Sequence, residues 1–207
     1  GQVELLVRIL PFIAKHKCFA LTGGTAINLF VRELPRLSVD IDLVYIPLDA
    51  HEKALSAART ALEKIKNEIQ TKLPNLRTHS TNSENTNSLK LLIRSGPHQV
   101  KVELSPVLRG TVWPVQDRVI KPRVEELFGF SEIQLVSFED LYAGKICAGL
   151  DRQHPRDLFD LKLLLANEGV SRKLLQTFLV YLISHNRPIA ELLSPTPRNI
   201  TGEFKNE

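Results

Sequence analysis

The feature that most constrains this chain is a pair of adjacent glycines closing an apolar run, Phe19-Ala20-Leu21-Thr22-Gly23-Gly24-Thr25. Ser38-Val39-Asp40-Ile41-Asp42-Leu43-Val44-Tyr45 follows after a short helical stretch. Side chains alternate along a strand, so Asp40, Asp42 and Val44 share one face while Ile41, Leu43 and Tyr45 share the other. Two carboxylates on one side of one strand repel. In a low-dielectric site one of them takes up a proton unless a divalent cation neutralises both. An oxygen-only pair of this kind suits Mg²⁺ or Mn²⁺, held by one or two carboxylates together with substrate phosphates. The glycine turn lets backbone N–H groups approach an anion with the positive end of a helix behind them, and Thr25 adds a hydroxyl. Each half alone has a plain alternative: Gly23-Gly24-Thr25 as an ordinary strand-to-helix turn, Asp40 and Asp42 as the solvated face of an edge strand. In this order, they point to a nucleotide bound through a metal.

Composition is consistent with that and less specific. A chain of 207 residues holds one sizeable domain or two small lobes, and 43% hydrophobic residues suffice for a packed core. Lys and Arg number 27 against 23 Asp and Glu, a formal net charge of +4 that permits a phosphate-rich partner without demanding one. Cys18 and Cys147 lie outside any metal-type spacing and imply reduced thiols in a cytoplasmic protein rather than a disulfide framework. The apolar stretch from Val3 to Leu21 is broken by Glu4, Arg8, Lys15, His16 and Lys17, so it reads as neither a signal peptide nor a membrane span. Leu5, Leu6, Ile9, Leu10 and Ile13 recur at helical spacing, with Pro11 expected to kink or end that helix early.

Further along, Leu55, Ala58, Leu62, Ile65 and Ile69 mark the buried stripe of an amphipathic helix over 50–73. The polar tract 78–88 reads as a mobile loop, and 89–95 with 99–104 as a hairpin turned by Gly96-Pro97. On its second strand Lys101 and Glu103 share one face, which could be no more than a solvated Lys-Glu alternation. Residues 110–132, with two prolines and mixed charges, read as a connector. Ser137 is expected to cap a helix with Asp140 in the capping position. On that helix Lys145 falls among Leu141, Tyr142, Ala148 and Gly149, either snorkelling from the core edge or reaching triphosphate oxygens. Pro155 suits the first turn of the next helix, where Asp157 gains from the macrodipole. Asp160, between Phe159 and Leu161, needs a partner, which Lys145 or Arg156 can provide. Residues 171–193 read as two more helices, with an apolar surface on the first wide enough to pack between others, and the tail beyond 195 reads as loosely ordered.

Thr22-Gly23-Gly24-Thr25-Ala26-Ile27-Asn28-Leu29, with Leu34-Pro35-Arg36-Leu37-Ser38-Val39-Asp40-Ile41-Asp42-Leu43, resembles the AbiEii (MenT-like) nucleotidyltransferase toxins of bacterial toxin–antitoxin and phage-abortive systems. These fall in the superfold of DNA polymerase β. Lys145-Ile146-Cys147-Ala148, Asp151-Arg152 and Pro155-Arg156-Asp157-Leu158-Phe159-Asp160-Leu161 resemble a second motif of the same family. The resemblance spans roughly 19–165. It implies an α/β (α+β) fold, with a nucleotidyltransferase-type mixed sheet and flanking helices over 1–110, a connector over 111–136, and a helical lobe over 137–207 contributing to the active-site cleft. It implies an active-site set of Asp40, Asp42, Lys145 and Asp160. It also implies a third acid at Glu103 beside the Asp-x-Asp strand, and at Ser38 a hydroxyl that matters for activity or is phosphorylated by the antitoxin.

The resulting expectation is a metal-dependent transfer of NMP from an NTP. Asp40, Asp42 and Glu103 are the metal candidates; Gly23, Gly24, Thr25 and Lys145 are the phosphate-holding ones. The resemblance points to the 3′ end of tRNA as acceptor and to a cognate antitoxin as partner. A small-molecule (aminoglycoside-like) or protein acceptor, and a non-catalytic interaction protein of this fold, stand as alternatives.

Overall fold

The computed structural model describes residues 1–82 and 89–205. The chain divides into two compact units, Gly1–Val136 and Ser137–Glu207. The first is built on a mixed sheet. Its strands β1 (Phe19–Thr22), β2 (Asp40–Tyr45), β3 (Arg77–Asn82), β4 (Leu89–Ser95), β5 (His98–Arg109), β6 (Gln116–Val119) and β7 (Glu132–Leu135) lie in the order β3-β4-β5-β2-β1-β7-β6. The β2–β5 and β1–β7 pairs are parallel and the rest antiparallel. Gly96, at φ +56°, turns the expected hairpin, with Ser95 facing His98.

Four helical segments accompany the sheet: α1 (Gln2–Ala14), α2 (Gly23–Ala26) running on into a π-helical turn at Ile27–Val31, α3 (His51–Lys72) and α4 (Pro122–Phe128). Helices α1 and α3 pack on each other and on the strands, and their apolar stripes are buried. Opposite them the strands contribute Ile41 and Leu43 from β2, Val102 and Leu104 from β5, and Leu89, Leu91 and Ile93 from β4, all buried. The intervening positions, Asp40, Asp42, Lys101, Glu103 and Lys90, are half-buried. One face of the sheet is therefore core, and the other carries charge.

Three expectations give way here. Helix α1 continues through Pro11 to Ala14, because Pro11 is exposed while Val3, Leu5, Leu6, Val7, Ile9, Leu10 and Ile13 are buried around it. That burial outweighs the one backbone bond a proline cannot donate. The polar tract expected as a loop begins as strand β3, whose Thr78 to Asn82 pair in register with Ile93 to Leu89. An edge strand half open to water needs no apolar alternation. The rest of that tract, 83–88, lies outside the described residues. Residues expected as a connector supply β6, α4 and β7 to the sheet, with Ile120, Val124, Ile133 and Leu135 buried. All four β6 residues are exposed, so this edge leaves no hydrophobic pattern in the sequence.

The second unit is helical: α5 (Phe138–Arg152), α6 (Pro155–Asn167), α7 (Arg172–Ile183), α8 (Ile189–Leu193) and a turn at Thr201–Lys205 within the tail expected to be loose. Ser137 Oγ accepts from the Asp140 N–H at 3.0 Å and caps α5 as expected. Helix α7 is less enclosed than its sequence predicts: Leu174 and Leu182 are buried, whereas Leu175 and Leu179 are about half exposed. Cys18 is half-buried, Cys147 is buried, and the two are unpaired. Among the described residues no helix is long and apolar enough to cross a membrane.

If burial of the α1 stripe carries the helix past Pro11, Pro11→Ala restores a backbone donor at no packing cost. It should stabilise the chain by about 1–2 kcal/mol in urea unfolding, below the full interior-proline penalty because proline also restrains the unfolded chain. A loss of stability would show that the proline is needed where it stands.

Candidate nucleotide and metal site

Strand β2 lies parallel to β5 with Asp40 beside Lys101 and Asp42 beside Glu103, and β4 sets Lys90 beside Glu103. Paired residues share a face, so the charges form one patch. Lys101 Nζ is 2.8 Å from Glu103 Oε2 and 3.8 Å from Asp40 Oδ2, and Lys90 Nζ is 3.0 Å from Glu103 Oε1. Burial pushes the Glu103 carboxyl up, but hydrogen bonds from Lys101 and Lys90 outweigh it and leave it below its ordinary value. The hydrogen bond to Glu103 raises Lys101 against the opposing effect of burial, with Asp40 and Asp42 adding to the rise. The ammonium is thereby fixed in its charged form.

The glycine turn lies directly beside this patch. Gly23 has φ +72°, and a Cβ there would overlap the Asp42 carboxylate. A Cβ on Gly24 would fall 2.8 Å from Ser38 Oγ and 2.9 Å from an Arg36 guanidinium nitrogen. Gly23 is thus required by its left-handed conformation and close approach, whereas at Gly24 a side chain would displace Ser38 and Arg36. Thr25 is fully buried, and its hydroxyl lies 3.1 Å from Ser38 Oγ and donates to the Asp40 carbonyl. It pins the start of β2 to the glycine turn. Ser38 is buried at 8% exposure, in the same contact. Asn28 is fully buried and donates to the Gly24 carbonyl at 2.8 Å, bracing the turn from within the π-helical segment.

Asp40 and Asp42, half-buried and acidic on one face, fit a hard divalent cation whose remaining ligands are water and phosphate oxygens. Glu103 stands next to Asp42 as the resemblance implies, but two ammonium groups already engage it. Among the described residues no three acidic, His or Cys side chains converge as a ready-made metal cage.

In the second unit Lys145 is 6% exposed, with Nζ 2.8 Å from Asp157 Oδ1 and 3.2 Å from Asp160 Oδ2. Arg152 Nε joins Asp157 Oδ2 at 2.6 Å. Lys145 therefore neither snorkels nor sits among apolar groups alone: it ties α5 to the first turns of α6. Burial pushes the Asp157 carboxyl up, yet the Arg152 hydrogen bond and the Lys145 charge together hold it below its ordinary value.

The sequence model of the nucleotidyl transferase AbiEii toxins of type IV toxin–antitoxin systems matches residues 4–207. The chain belongs to this family. No curated protein sequence matches it. Three structures of terminal uridylyl transferase 4 from Trypanosoma brucei, with bound dUTP, with bound GTP and with bound UTP and UMP, share 15%, 16% and 14% identity with it. The matches cover 50%, 49% and 47% of this chain and 34%, 34% and 32% of theirs, with TM-scores of 0.35, 0.35 and 0.34. The AbiEii chain spans about a third of the length of those proteins.

The structure brings Gly23, Gly24, Thr25, Ser38, Asp40, Asp42 and Glu103 together in the first unit, and Lys145 with Asp157 and Asp160 in the second. Sequence reasoning missed Lys90 and Lys101 as site cations, and Arg36 as the group over the glycine turn. The signal for Lys101 was its two-residue spacing from Glu103; Lys90 and Arg36 needed the register and the loop path.

Removing one partner from a buried ion cluster costs about 3–5 kcal/mol. Lys145→Met in this AbiEii chain should lower the unfolding free energy by that amount, and an unchanged melt would release Lys145 from a structural role. The stabilisation from Asp157 has its own pH signature: its folded value is lowered, so the contribution is complete above the ordinary carboxylate range near about pH 4 and fades as pH falls through the lowered value. Asp157→Asn should flatten stability against pH below about 4, read by thermal melts across a pH series.

Proposed function

We propose that this AbiEii-family chain is a metal-dependent nucleotidyltransferase acting as the toxin of a toxin–antitoxin pair, transferring NMP from an NTP to an acceptor hydroxyl. The observation that carries the reading is the Asp40–Asp42 pair half-open on a sheet face with the Gly23-Gly24 turn pressed against it. The backbone N–H groups of that turn, at the head of a helix, receive phosphate oxygens, and Arg36 adds a planar cation beside them. Asp40 and Asp42 would hold Mg²⁺ or Mn²⁺, which would supply Lewis-acid polarisation of the phosphates and offset charge on the leaving group. Gly23, by lacking a side chain, leaves room for the Asp42 carboxylate beside the turn. Lys101 lies within reach of the same charge. As the acceptor oxygen bonds the α-phosphorus, its proton passes to solvent and the bond to pyrophosphate breaks.

The acceptor proposed is the 3′ end of tRNA. The formal net charge of +4 is compatible with a polyanionic acceptor, and the family suggests it. Capping that end would block aminoacylation and stop growth, as a toxin must. A cognate antitoxin is the partner, and a cytoplasmic location follows from the substrates. Lys145 and Asp160 stay in the set whose loss abolishes transfer, and Lys145 is also required by the ion cluster.

Purified protein with Mg²⁺, each α-³²P-labelled NTP and total bacterial tRNA should label the tRNA band, and the Asp40→Ala/Asp42→Ala variant should not. Label on an aminoglycoside or a protein instead would move the acceptor while keeping the chemistry. No transfer, together with no nucleotide binding by calorimetry, would leave an interaction protein.

A further inference from the structure

We propose that Lys101 is a tethered counterion that makes divalent-cation binding at Asp40 and Asp42 depend on the arrival of the nucleotide. The proposal rests on the metal-site reading above. The patch holds three carboxylates, Asp40, Asp42 and Glu103, and two ammonium groups, Lys90 and Lys101. Lys90 is committed to the side of Glu103 away from β2. Lys101 stands between Glu103 and Asp40, at 2.8 Å from one and 3.8 Å from the other. Register fixes it there, because Asp40 and Lys101 are direct partners across the β2–β5 ladder.

A divalent cation entering alone meets that ammonium at close range. The lysine already neutralises part of the charge that would attract the ion, and once the ion is in place the two cations repel. A triphosphate reverses the balance. Its oxygens complete the coordination of the metal and bring negative charge that attracts the Lys101 ammonium, so the repulsion between lysine and metal is offset by phosphate. The side chain is 32% exposed and its flexible stem lets the ammonium follow the phosphate. Metal alone is thus held off, and metal with nucleotide is favoured. A toxin built this way does not hold a loaded metal centre between turnovers.

The same residue is then expected to affect two ligands in opposite directions. Removing a unit positive charge about 4 Å away changes an affinity about fivefold for each unit of charge on the ligand even with water-like screening, and more in a half-buried site. In Lys101→Met, Mn²⁺ alone, followed by electron paramagnetic resonance of the full chain, should bind at least about fivefold tighter than in the parent. Magnesium tripolyphosphate, followed by calorimetry, should bind about fivefold weaker or worse. Lys101→Gln, which keeps a polar end group, should show the same two shifts, with thermal melts confirming that both variants fold. A merely structural lysine would weaken both ligands. Unchanged or weaker Mn²⁺ binding in both variants, with Mn²⁺ still lost in Asp40→Asn/Asp42→Asn, would overturn the Lys101 proposal and leave the metal site standing. Mn²⁺ binding in the parent that is indifferent to Asp40→Asn/Asp42→Asn would overturn the metal site, and this proposal with it.

Discussion

The parallel register of β2 on β5 is the constraint on which the rest of the first unit depends. It sets Asp40 against Lys101 and Asp42 against Glu103 on one face. On the other it sets Ile41 against Val102 and Leu43 against Leu104. A slip of β2 by one residue would turn its faces over, sending Asp40 and Asp42 into the core under α1 and α3 and Ile41 and Leu43 into water. The hydrophobic core and the charged patch are therefore specified by the same ladder. Burying the one fixes the geometry of the other, which is how a rigid scaffold comes to hold like charges close together.

The local chemistry around that ladder works in the same direction. Gly23 adopts a left-handed conformation and lies so near Asp42 that no side chain fits, and Gly24 is closed in by Ser38 and Arg36. Thr25 and Asn28 are fully buried and hold the turn to the strand and to its own helix. The turn is thus fixed from the protein side, next to the acidic pair. In the second unit a lysine is bound by two buried aspartates and an arginine closes the set. Such clusters fix the geometry of two helices at a high desolvation cost, and removing one member exposes that cost.

Much of this was legible in the sequence, and for physical reasons. Period-two alternation around Asp40 and Asp42 gave the strand and its faces, helical spacing gave α1 and α3, and Ser137 with Asp140 gave the cap of α5. What escaped was of two kinds. Edge strands such as β3 and β6 are half or wholly exposed, so they carry no apolar pattern, and helix α1 ran through Pro11 because tertiary burial overrode local propensity. Charge partnerships across strands depend on register, which no single strand reveals. Lys90 is sequentially remote from Asp42 and meets its neighbour Glu103 only in the sheet. Lys145 and Asp157 are separated by a helix break, and the tighter of the two aspartate contacts belongs to Asp157, whose place in the first turn of α6 has a sufficient explanation in the macrodipole.

The central claim is that the face bearing Asp40 and Asp42 receives a metal-bound nucleotide. Crystals of the full chain grown with Mn²⁺ and an α,β-methylene nucleoside triphosphate test it most directly, through the anomalous signal of manganese. The account predicts a manganese peak in contact with the Asp40 and Asp42 carboxylates, with triphosphate density running to the Gly23-Gly24 turn. Manganese and triphosphate bound elsewhere, with that face carrying only its own ion pairs, would contradict it.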